Sequence, residues 1–142
     1  MTVAYATQAD VEAAIGVDML LTISDRDHTG TVDPSVVTRA LAESSSLART
    51  YLPADPSPVP EVLRRITVDI AIHKLRIGTD NTTEDSRLAY DQAIKWLERV
   101  AAGTVVVPGM PVPEPDGVID PGDPVMEADA RIWSRATGIG CF

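Results

Sequence analysis

The stretch PEVLRRITVDIAIHKLRIG, Pro60 to Gly78, decides the fold, because two periodicities compete within it. Ile66, Val68, Ile70 and Ile72 alternate as they would in a half-buried strand. The apolar pattern nevertheless runs well past the roughly five or six residues of an ordinary strand, so length selects a helix. On a helical wheel Leu63, Ile66, Ile70 and Ile77 fall on one side, and Val68, Ile72 and Leu75 on nearly the opposite side. Such a helix needs cover twice. Its own domain supplies one cover, and a further helix or a neighbouring subunit supplies the other. Val68, Ile72 and Leu75 are therefore candidate interface residues.

Outward from this segment, the chain reads as more helix. TQADVEAAI, from Thr7 to Ile15, has a capping threonine, an acid three residues on, and Gly16 as a stop. A second short helix starts at Asp18 and runs through MLLTI. Asp33 caps a longer one, PSVVTRALAESSSLARTYL, with Val37, Ala40, Leu41, Ser44, Ala48 and Tyr51 recurring along one side. PADPSPVP, with four prolines in eight residues, ends it. On the C-terminal side, TTEDSRLAYDQAIKWLERVAAG has Thr82 and Asp85 framing its start and Gly103 as its stop. Its expected buried stripe is Tyr90, Ala93, Ile94, Leu97 and Ala101, with Trp96 at the edge. The fold class is thus all-α: a small bundle of four to five helices over residues 1–103, followed by a long extended proline-rich arm over residues 104–142.

That arm holds six of the eleven prolines and sets six acids against two arginines. Such a composition does not fold alone; it is a tail or a strap ordered by a partner. Its two apolar knots, TVVVPGMPV and ARIWSRATGIGCF, favour the strap. Ile132, Trp133, Ile139 and Phe142 are costly to leave in water, and aromatic anchors of this kind are what interfaces use.

The 142 residues suit one domain with an appendage. A net charge of -9 excludes a surface that coats nucleic acid, which demands clustered positive charge. The N-terminus lacks the basic start and apolar stretch of a signal peptide, and no apolar run suits a membrane span, so we expect a soluble chain that is cytosolic when made. Cys141 is the lone cysteine, which precludes an intrachain disulfide and, with His28 and His73 as the only imidazoles, a structural zinc site. No cofactor is expected.

Chemistry has little footing. DRDHTGTVDPSV, Asp25 to Val36, imitates a calcium loop through Asp25, Asp27, Thr29 and Asp33, with Gly30 for the sharp turn. Its twelfth place, however, is Val36 where a bidentate glutamate is needed, and Pro34 after Asp33 suits a capped helix start. A polar turn is the preferred reading, and a calcium-responsive or regulatory helical adaptor with a partner-binding acidic tail stands as the alternative function. Asp69 and His73, four apart on the two-sided helix, form a candidate hydrogen-bonded pair that satisfies itself within or between subunits. Ser44 to Ser46 read as small residues that permit close helix approach, and Glu61, Arg64 and Arg65 as a solvated face. No enzyme motif is present, and no catalytic residue is assigned.

The order YATQADVEAAIG, LLTISDRD, VDPSVVTRALAESSSLARTYL, VPEVLRRITVDIAIHKLRIG, YDQAIKWLERVAAGTV resembles, segment by segment, the small Mu-like phage and prophage neck proteins. That family is catalogued as a domain of unknown function. The likeness spans roughly residues 4–107, with a similar arginine-aromatic ending in RIWSRATGIGCF. It implies a structural head-tail adaptor, or head-completion connector, forming a ring of twelve copies beneath the portal of a tailed phage. The implied partners are other copies, the portal protein, and a tail or tail-terminator (stopper) protein. DNA would pass through the channel without specific binding, and no membrane would be involved. The implied place is the virion neck, after synthesis in the host bacterial cytoplasm.

Overall fold

Thr7 opens the first helix because its backbone amide and hydroxyl both donate to the Asp10 carboxylate at 2.8 Å, while the Asp10 amide donates back to the Thr7 carbonyl at 3.1 Å. From there the computed structural model, which describes residues 3–111, runs through five helices. They are α1 (Gln8–Ile15), α2 (Val17–Ser24), α3 (Pro34–Tyr51), α4 (Glu61–Ile77) and α5 (Glu84–Ala101). No strand occurs among the described residues. Gly16 alone separates α1 from α2, and its φ of 84° is a conformation that glycine reaches without steric cost.

The contest in Pro60–Gly78 is settled as helix, and the wheel explains why. Leu63, Ile66 and Ile70 enter one apolar cluster, with Tyr5, Ala48, Leu52, Ala93, Leu97 and Val100. Val68, Ala71, Ile72 and Leu75 enter another, with Val11, Leu20, Ile23, Val37, Ala40 and Leu41. α4 thus lies between α5 and the C-terminal half of α3 on one side, and α1, α2 and the N-terminal half of α3 on the other. α3 and α4 each touch every other helix. Each large apolar side chain so buried stabilises the fold by about 1.5–3 kcal/mol relative to exposure.

This arrangement corrects the interface reading of α4. Val68, Ile72 and Leu75 are 4%, 8% and 1% exposed within the single chain. The second cover is a set of the chain's own helices, so these side chains are not left for a neighbouring subunit. Ile77 departs in the other direction, at 55% exposure. The buried residues of α5 begin at Ser86, which meets His73 one turn before Ile77, so Ile77 lies past the last packed layer.

The α3 stripe lies as the spacing predicts: Val37, Ala40, Leu41, Ser44 and Ala48 are buried and Tyr51 is partly buried. Ser45 is buried as well, and its hydroxyl accepts the Tyr5 amide at 3.0 Å. α5 starts one residue later than read. Thr83, not Thr82, is the N-cap, accepting the Ser86 amide at 3.2 Å, and Ser86 rather than Asp85 answers it, because only the third helical residue can reach back. Within α5, Val100 rather than Ala101 completes the buried stripe. Beyond it Val107 is buried, and Val105 and Met110 are partly buried against the second cluster, so residues 105–110 pack on the helical domain.

Candidate functional site

Two polar regions and one electrostatic groove stand out on this frame. The first is the turn from α2 to α3. Asp25 places one carboxylate oxygen on the Thr29 amide at 2.8 Å and the other on the Gly30 amide at 2.7 Å. These bonds hold its carboxyl below the ordinary range, the Thr29 amide contributing most. His28 and Gly30 adopt positive φ, 57° and 81°, which lets the chain wrap around that carboxylate. Asp33 is spent on the start of α3: its Oδ1 accepts the Ser35 hydroxyl at 2.6 Å and the Ser35 amide at 2.9 Å. Its carboxyl is lowered chiefly by the Ser35 hydroxyl. Asp25 and Asp33 therefore turn to backbone donors, and Asp27 is exposed. Among the described residues no group of three or more Asp, Glu, His or Cys converges as a metal shell would. Of the four calcium candidates, Thr29 alone is drawn onto Asp25, by amide and hydroxyl, as its donor.

The second region surrounds His73. The expected Asp69–His73 pair is not made. His73 is buried, lies 3.5 Å from the Ser86 hydroxyl through Nδ1, and stacks on Tyr90 with ring centroids 4.6 Å apart. Tyr90 and Ser86 both come from α5, and their contact with the ring turns it away from its own helix. Burial pushes the imidazole below its ordinary value; Asp91 opposes this and Arg87 reinforces it. Asp69, half-buried, is pushed up by desolvation with Arg65 opposing. Ser44 donates to the Ala40 carbonyl at 2.6 Å, so its hydroxyl is consumed within the helix. Glu61, Arg64 and Arg65 are exposed, as read.

The groove was not legible in the linear spacing because each of its cations comes from a different element. Arg26 from the α2–α3 turn, Arg39 from α3 and Lys74 from α4 line a groove of about 400 Å³ floored by Leu75. Among the described residues Glu43 is the lone acid in its lining; it pairs with Arg39 at 3.1 Å and Lys74 at 3.5 Å, and its carboxyl is lowered chiefly by Arg39. Arg26 has no carboxylate within ion-pair distance among the described residues, although its charge is felt by Asp33. Its guanidinium lies over Gly78, where a Cβ would clash with it. A further long-range contact also escaped the sequence. Tyr5 donates to Asp55, which pairs with Arg49 at 2.6 Å, and burial with that bond pushes the Tyr5 phenol up to about 12.

The arm anchors Ile132, Trp133, Ile139 and Phe142 lie outside the described residues. No described helix is long and apolar enough to cross a membrane. No curated protein matches the sequence. The family model described as Bacteriophage Mu, Gp36 matches residues 5–118, which takes in all five helices and the segment that packs after them. With four-fifths of its length so matched, the chain belongs to the bacteriophage Mu Gp36 family.

Proposed function

We propose that this chain is a head-tail adaptor: a head-completion or neck protein that forms a ring, of twelve copies, below the portal of a tailed phage. Family membership makes it a phage structural or morphogenesis protein, and that membership is the observation that carries the reading. The helical unit suits it as a self-covered building block. The two-sided α4 no longer contributes, because the chain's own helices cover both sides. Contacts between copies then rest on the arm, whose Ile132, Trp133, Ile139 and Phe142 would anchor on a neighbour, the portal, or a tail or tail-terminator protein. An overall charge of -9 suits a channel along which DNA slides without sticking.

The test is genetic and visual. A phage with a stop codon early in this gene is expected to yield DNA-filled heads and separate tails, and labelling of intact particles is expected to place the chain at the neck. Normal tailed particles from the mutant would overturn the assignment.

A further inference from the structure

We infer that the Arg26–Arg39–Lys74 groove receives the acidic part of the arm, residues 113–130, of a second copy. This deepens the adaptor reading, which calls for contacts between copies. The groove gathers three of the ten cations present before residue 104, in a chain of net charge -9. The segment PEPDGVIDPGDPVMEADA carries Glu114, Asp116, Asp120, Asp123, Glu127 and Asp129 and no lysine or arginine. It is the most one-signed stretch of the sequence, and its prolines limit the chain entropy that docking removes.

The lining favours exchange of partners. The Arg39 side chain is 81% exposed and its bond to Glu43 is an (i, i+4) surface pair, which contributes little and yields to an incoming carboxylate. Arg26 also lines the groove and has no ion pair among the described residues, and its planar guanidinium, which rests on Gly78, is of the kind that holds a carboxylate through two bonds. Duplex DNA fits less well. It needs a run of cations matched to successive phosphates, whereas Glu43 pairs with both Arg39 and Lys74, and Asp33 lies close enough to Arg26 to feel its charge.

Single-cysteine chains test the contact directly. In a Cys141→Ser background, an Arg39→Cys copy and an Asp120→Cys copy are mixed and treated with a short bismaleimide. Each chain then holds one thiol, so every link joins two copies. We expect unlike copies to be linked, the yield to fall at about 0.5 M salt, where charges are screened within a few ångströms, and Arg65→Cys to give no such link. Arg65 lines a separate cavity beside Asp10 and Asp69. An equal yield from Arg65→Cys, or none from Arg39→Cys, overturns the inference. Absence of the link together with retention of duplex DNA that Arg39→Glu abolishes would overturn it in favour of nucleic acid. Cross-linking as expected by a chain that is missing from particle necks would keep the groove and overturn the adaptor reading.

Discussion

Thr83 spends its hydroxyl on the first turn of α5, and Ser86 answers it while also meeting His73. Thr83→Ala is expected to cost about 1 kcal/mol, a fall of about 4–8 °C in melting temperature for a unit of this size. His73 adds a pH dependence. Burial lowers its pKa in the folded chain, so below the ordinary value of 6.5 the unfolded chain takes up a proton that the folded one resists. Its contribution is complete above pH 6.5 and is lost as pH falls from there to the lowered folded value. Asp69, raised by burial, acts in the opposite sense in the more acidic range above 3.8, where the folded chain holds its proton longer. Urea midpoints of wild type and His73→Gln measured from pH 7.5 to 5 should therefore diverge in slope, the variant being the flatter. For Asp25, whose two oxygens are occupied by amides, calorimetry with millimolar calcium should register no saturable heat. A submicromolar site there would revive the calcium reading.

At the scale of elements, periodicity made much of the molecule legible. The α3 stripe from Val37 to Ala48 could be read because three- and four-residue spacing reports which side is covered. The same logic identified both sides of α4, but it could not say who covers them. Spacing registers that Val68, Ile72 and Leu75 leave water; whether α1 and α2 or another subunit receives them depends on how the turns at Gly16 and Asp33 fold back. Caps were legible to within a residue, as with Thr82 against Thr83. The groove and the Tyr5–Asp55 contact were hidden because Lys74 lies 31 residues from Glu43, and Tyr5 50 residues from Asp55. The corrected cover of α4 can be measured. Leu75→Ala in the isolated chain should cost about 2–5 kcal/mol, as for a packed core residue. Ile77→Ala, on the exposed last turn, should stay within about 0.5 kcal/mol of wild type. A Leu75→Ala chain as stable as wild type would show that this face awaits another subunit after all.

At the scale of the whole molecule, the helical unit and the arm should respond separately to mutation. Trp133→Ala is expected to leave the melting temperature of the helical unit unchanged while keeping the protein out of particles. Normal incorporation would count against the arm as a strap. The placing of α4 has a further consequence. It is the shared partition between two oily compartments, and neither compartment can be opened without stripping one side of that partition bare. Loss of one should drag down the other, leaving no intermediate with half its interior intact. Amide hydrogens along the middle of α4 should therefore exchange only through complete unfolding, and those in the exposed α2–α3 turn should exchange much sooner.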